Sequence, residues 1–254
     1  MTKPILSFLS RFALGAAVLA ALGGLAACGK QDSAPAAGAA SAPASLDGLR
    51  DQKAMTQAAE RQLPKGDPAT PLGGYRKIDS GNQVMFAYFG LLNLPLPYED
   101  IAKQYSEEYR RTSDSFQQKD IVKALQPRID QEIAQAKAAR YVLLEQRDGA
   151  LLERYNFDKK SFAVKGMDSN DRYTYFNDNS NYTLGTTNAP QFAALNVTDE
   201  AKARAIEGYL SKYTPLRMEV YAYAQDADPS TRRVKLQVMK LRLYGPGNEL
   251  LAEQ

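Results

Sequence analysis

Two alternating segments near the end of the chain constrain its fold more than any other feature. Leu216, Met218, Val220 and Ala222 alternate with Arg217, Glu219, Tyr221 and Tyr223. After a loop at 225–231, Val234, Leu236 and Val238 alternate with Arg233, Lys235 and Gln237. A period of two marks a strand with one buried face and one wetter face. The phase then flips, and Met239, Leu241 and Leu243 become the apolar set. A one-residue slip of this kind predicts a β-bulge, because any other reading turns the later leucines out to water. Gly245-Pro-Gly-Asn248 then turns the chain into a final short strand at 249–252.

More β-structure is expected before this pair. Tyr141–Arg147 and Ala150–Phe157 flank Asp148-Gly149, and an Asp-Gly pair suits a type I′ hairpin turn. Short strands are expected at 173–176 and 182–186. Between them and the alternating pair, Thr198 caps a helix over 198–212 with Ile206, Tyr209, Leu210 and Tyr213 on one face, and Pro215 stops it.

The N-terminal third reads as helical. A weakly amphipathic helix is expected over 47–62, followed by a loop at 64–74. Ser80-Gly-Asn-Gln83 has the form of a capping box before Val84–Leu92, which is apolar all round and so reads as a buried helix. Pro97 opens a helix carrying Ile101, Tyr105 and Tyr109 on one stripe. Ser115-Phe-Gln-Gln118 opens another, with Ile121, Val122, Leu125, Ile129 and Ile133 on one face and Pro127 expected to kink or divide it. The expectation is an α+β fold with a single domain over 47–254. Its helical N-terminal part would pack on a mostly antiparallel C-terminal sheet, with the 198–212 helix covering a sheet face.

The first residues carry a different signal. Lys3 and Arg11 precede a small and apolar run, Phe12–Ala27, which ends in Leu25-Ala-Ala-Cys28-Gly29. The run is too short and too rich in Ala and Gly for a transmembrane helix, which needs about 20 mainly apolar residues. A charged start, an apolar middle and small residues before a break are the parts of a secretory peptide. The stretch resembles a bacterial lipoprotein signal peptide with its lipobox. That resemblance implies that residues 1–27 are removed, that the Cys28 thiol receives a diacylglyceryl group, and that the new terminal amine is acylated. Gly29 after the cysteine, where an Asp would direct retention, resembles outer-membrane sorting. The implied location is the cell envelope, at the outer membrane facing the periplasm. Two or more chains anchor stably where one does not, each buried methylene contributing about 0.8 kcal/mol.

Residues 28–46 follow as lipidated cysteine and tether. The 29–46 stretch is Ala, Pro, Ser and Gly with almost nothing to bury, so disorder is expected. A coil of that length spans about 20–25 Å root-mean-square.

Composition removes several kinds of chemistry. The chain has no His and one Cys, so imidazole triads and His/Cys zinc sites are ruled out within it. Catalysis would rest on Asp, Glu, Lys, Tyr, Ser or Thr. Of 32 cations and 29 acids, loss of Lys3 and Arg11 leaves 30 against 29, a net charge near +1. Nothing in that balance suggests nucleic-acid binding, which wants a clustered basic face. Trp is absent and Tyr numbers 15, which reads as Tyr replacing larger aromatics on a half-buried sheet.

Asp168-Ser-Asn-Asp-Arg172 and Asn177-Asp-Asn-Ser-Asn181 are the densest polar clusters. Their oxygens suit calcium, but the spacing is not that of an EF-hand, and these are the ordinary turn residues. The interleaved Tyr173, Tyr175, Phe176 and Tyr182 offer a glycan-facing surface or the packing face of a sheet. Glu145 and Glu153, on the two arms of the expected hairpin, are the carboxylate pair for a glycan hydrolase, with Arg147 and Arg154 as neighbours that fit an exposed charge pattern instead. Tyr155–Phe162, aromatic anchors about a turn, is similar to segments of uncharacterised bacterial lipoprotein domains, and this likeness implies no activity.

The expected role is a lipid-anchored envelope protein that is not an enzyme. It would need no cofactor, and its partners would be the membrane, through Cys28, and an envelope protein or glycan. A carboxylate-based cell-wall hydrolase and a lipoprotein inhibitor or immunity factor are the alternatives.

Overall fold

The structure is a computed structural model that describes residues 54–55, 58–59, 62–92 and 94–254. Cys28, the signal-like segment and the tether lie outside the described residues. So does most of the 47–62 stretch, of which Ala54, Met55, Ala58 and Ala59 are helical and exposed.

The architecture is α+β. A seven-stranded mixed sheet has the order β1 (Arg76–Lys77), β2 (Tyr141–Asp148), β8 (Leu216–Asp228), β9 (Arg233–Tyr244), β6 (Thr183–Thr186), β5 (Tyr173–Thr174), and β10 (Leu250–Glu253) also pairs with β9. A three-stranded antiparallel sheet holds β3 (Leu152–Asn156), β4 (Ser161–Val164) and β7 (Ala194–Asn196). In the large sheet, β1–β2 and β6–β9 are parallel and the other pairs antiparallel. The described residues from Gln62 onward belong to one compact unit.

The β8–β9 pair carries the expected bulge. Tyr221 faces Lys240 and Ala222 faces Val238, which leaves Met239 as the extra residue. A second bulge lies on β8, where Ala224 faces Leu236 and Asp226 faces Lys235, leaving Gln225 over. Together they keep Val234, Leu236, Val238, Leu241 and Leu243 on the buried face.

Asp148-Gly149 does not close a hairpin. β2 pairs with β1 and β8, and β3 pairs with β4, so the chain changes sheet at this turn. Gly149 is not at positive φ, which a type I′ turn requires. It is small for another reason: a Cβ there would lie 2.7 Å from the Tyr213 carbonyl oxygen. Val142 and Leu144 reach a buried face beside Ala222 and Val220 of β8, and that burial overrides the local turn preference.

The helices are α1 (Gly81–Leu91), α2 (Tyr98–Tyr105), α3 (Glu107–Arg111), α4 (Ser115–Ala138) and α5 (Glu200–Ser211). α1 is buried all round and lies against α4 and against β6, β8 and β9. α5 lies on β3 and β10. Its cap is Asp199 rather than Thr198, and that of α4 is Asp114 rather than Ser115. Ser106 ends α2 and caps α3 through the Tyr109 N–H, which breaks the expected Ile101–Tyr109 stripe into two helices. α4 runs through Pro127 undivided; Pro127 and Lys123, whose carbonyl loses its partner, are exposed to water.

The outer face of the large sheet is crossed by a strap, residues 64–75. Gln225 Nε2 donates to the Pro64 carbonyl at 2.7 Å, the Gly66 N–H to Gln237 Oε1 at 3.0 Å, and the Asp67 N–H to Tyr141 Oη at 2.7 Å. Tyr75 meets the rings of Tyr141 and Tyr221 edge-on at 5.4 and 5.1 Å. Gly66 is pressed onto the sheet, since a Cβ there would sit 2.7 Å from Tyr223 Cβ. Beside the strap, Glu219 is 9% exposed and accepts from Arg217 and Tyr221. Burial, and then this bond to Glu219, pushes the Tyr221 phenol up to about 12.

Candidate functional site

The Asn/Asp-rich loop 177–181 forms one wall of an open cleft of about 800 Å³. α2 supplies Asp100, Lys103 and Gln104, α3 supplies Arg110, and the β8–β9 turn supplies Pro229 and Arg232. The floor is aromatic. Tyr88 and Phe89 from α1 and Tyr182 stand with ring centroids 5.2–5.7 Å apart. Tyr88 is 6% exposed and Tyr182 4%.

The loop is placed by the start of α1. Ser80 caps that helix, accepting from the Asn82 N–H, and Gln83 reaches back to the Asp79 N–H at 2.9 Å, one residue before the expected box partner. Asp178 adds a cap from across the fold. Its carboxylate accepts from Ser80 Oγ at 2.7 Å, the Gly81 N–H at 2.8 Å and the Asn82 N–H at 3.2 Å. Partial burial works to raise the Asp178 pKa, and these bonds outweigh it, so the carboxyl is held below the usual range. Gly81 is required where it stands, because a Cβ would meet the Asn179 carbonyl oxygen at 2.3 Å. Asn179 is 5% exposed, and its Nδ2 donates to Asn82 Oδ1 at 3.1 Å. Asn181 Nδ2 donates to Gln104 Oε1 at 3.1 Å, closing the loop onto α2.

The chemistry of this cleft is that of an amide and phenol lining over aromatic rings. Neither the Tyr88 nor the Tyr182 hydroxyl has a hydrogen-bond partner among the described residues. Burial raises both phenol pKa values and outweighs the nearby Arg232, which works to lower them, so both stay protonated donors at neutral pH.

The first polar cluster, 168–172, has a separate local role. Asp168 pairs with Arg172 at 3.0 Å, Ser169 with Asp171 at 2.9 Å, and Asn170 bridges the Thr187 carbonyl and the Ala189 N–H at 2.7 and 2.9 Å. These are turn and loop ties. Among the described residues no three His, Cys, Asp or Glu side chains converge on a metal position.

The carboxylate pair of the hydrolase alternative is not brought together, and both acids sit in ion pairs, as an exposed charge pattern has it. Glu145 lies in the large sheet with Lys77 at 3.5 Å and Arg147 at 4.0 Å, and Glu153 lies in the small sheet with Lys165 at 3.7 Å. Glu145 instead faces Glu219 of β8 across the sheet. Burial works to raise the Glu219 pKa, but bonds from Tyr221 and Arg217 leave it lowered, the reverse of what a general acid needs. Tyr173 and Tyr175 are about half exposed, with rings 6.5 Å apart, and do not reach the cleft floor that Tyr182 builds.

Sequence reasoning singled out the 177–181 loop and Tyr182. It missed Tyr88 and Phe89, which read only as core, and also Lys103, Gln104, Arg110 and Arg232. Nothing local marks those residues, because the cleft gathers side chains about 145 positions apart between α1 and the β8–β9 turn. In comparisons with known proteins, no family model matches the chain, nor does any curated protein or solved structure.

Proposed function

We propose that this chain is a lipid-anchored bacterial envelope protein, held by acylated Cys28, that binds an envelope glycan without transforming it. The helical cover, α1 with α2–α4, and the large sheet beneath it then serve as the frame for the cleft. The observation that carries the reading is the cleft lining. Asn177, Asn181 and Gln104 present amides, which both donate and accept, above a floor of Tyr88, Phe89 and Tyr182 whose two phenols have no hydrogen-bond partner among the described residues. A hydroxyl-rich ligand with apolar ring faces matches both features. The acid within the wall loop, Asp178, is occupied as a helix cap.

The test uses the full lipidated chain in detergent and soluble fragments of envelope glycan, measured by calorimetry. Binding weakened by Asn181→Ala supports the reading. Absence of binding to every fragment defeats it. Metabolic labelling with an alkyne fatty acid tests the anchor: label on the wild type and none on Cys28→Ala is the expected outcome, and equal labelling of both refutes it.

A further inference from the structure

The cleft carries more positive charge than its own acids neutralise. Lys103, Arg110 and Arg232 line it with Asp100 and Asp178. Among the described residues none of the three cations forms an ion pair. Arg110 donates instead to the carbonyls of Lys103 and Gln104 at 3.3 and 2.6 Å, at the end of α2. Asp178 is committed to the α1 N-terminus, which leaves Asp100 as the one uncommitted carboxylate of the lining.

Arg232 stands out within this set. Its φ is 52°, in the left-handed region that residues with a side chain seldom occupy. Such outliers gather at ligand sites, where the surrounding structure holds them in place. Here the Thr183 N–H donates to the Arg232 carbonyl at 3.1 Å and fastens the turn to β6. The guanidinium is exposed and stands 6.0 Å from the Tyr182 ring centroid, above the aromatic floor. A planar cation with free donors at the rim of a polar cleft is suited to two-point recognition of a carboxylate or phosphate.

We propose that the cleft selects a saccharide bearing an anionic oxygen group, and that Arg232 reads that group, with Lys103 as the second cation. The inference rests on the cleft-binding reading above and deepens it. Asp100, the uncommitted carboxylate of the lining, disfavours a ligand that carries a second anion.

Calorimetry on the full chain with a galacturonate trimer, galactose 6-phosphate and galactotriose tests it. The expected result is at least about tenfold tighter binding of one charged probe than of galactotriose, with the gap shrinking as salt rises. The carboxylate and phosphate arms identify the source of the anion. Arg232→Gln should reduce the preference to about twofold or less while thermal unfolding stays unchanged, and Lys103→Gln should reduce it in part. Arg204→Gln, at an exposed position of α5, should leave it intact. Equal binding of charged and neutral probes overturns the inference and leaves the cleft reading standing. So does equal sensitivity to Arg204→Gln and Arg232→Gln, which would mark diffuse charge attraction. Binding of none of the three probes overturns the inference, while the cleft reading falls only if the envelope-glycan fragments fail as well.

Discussion

Removing the Asp178 carboxylate tests how the cleft is held together. Asp178→Ala deletes an acceptor used by Ser80 Oγ and by the N–H groups of Gly81 and Asn82, while Ser80 still caps Asn82. Loss of an N-cap costs about 0.5–2 kcal/mol, and loss of a negative charge at a helix N-terminus about 0.3–1 kcal/mol. The carboxylate faces solvent on one side, so screening holds the total to about 1–2 kcal/mol. For a domain of this size that lowers Tm by about 2–8 °C. Asp178→Asn keeps the shape and tests the charge. Because the folded pKa is depressed, the stabilisation is present above the unfolded value of about 3.9 and fades as pH falls through the folded value. The gap between wild type and Asp178→Asn should therefore be full at pH 7 and close under acid conditions. Thermal unfolding by circular dichroism between pH 2.5 and 7 measures both quantities. An unchanged Tm for Asp178→Ala at pH 7, or a gap that widens in acid, refutes the argument.

Deletion of Met239 should remove the β9 bulge and leave Val238, Leu241 and Leu243, now 2%, 1% and 0% exposed, in one unbroken inward alternation. Denaturant unfolding should therefore show a domain that keeps its fold, with a loss well below the about 3–6 kcal/mol that turning both leucines outward would cost. Tyr221→Phe takes a hydroxyl from the buried Glu219 and should cost about 1.5–3 kcal/mol by the same measurement. In the wild type, ultraviolet titration should place one phenol near pH 12. Its stabilising effect is full below about pH 10 and is lost as pH rises through the folded value. Gly66→Val should lift the strap from Tyr223 and speed proteolysis within 64–75, with little change in the Tm of the sheet.

The long strands were legible because burial writes its period directly into them. The flip after Val238 located the Met239 bulge for the same reason. The Asp148-Gly149 turn misled because turn chemistry is local, whereas the partner of β2 lies about seventy residues further on, at Val220 and Ala222. β1 and the β6–β9 pairing left no pattern, since a two-residue strand has no alternation and parallel pairing sets no tight turn. At the site, the density of Asn and Asp marked the 177–181 loop but not its use. Asp178 serves a helix almost a hundred residues earlier, a cap that no spacing rule within α1 can reveal. Arg232 sits in an ordinary turn sequence, and only its backbone angle and its position over Tyr182 set it apart.

The strap across the outer face decides how the domain would meet a mechanical pull. Residue 64 precedes every described strand, so tension arriving from the N-terminal side reaches the strap before the sheet. The Pro64, Gly66 and Asp67 bonds are spaced along the chain and would give way one after another, as a strip of tape peels. β8 and β9 are paired along nearly their whole length and share strain across many bonds at once. The strap thus acts as a fuse: the first stretch of chain released under tension exposes tyrosines on the outer face and leaves the sheet, and the cleft on its other side, in register.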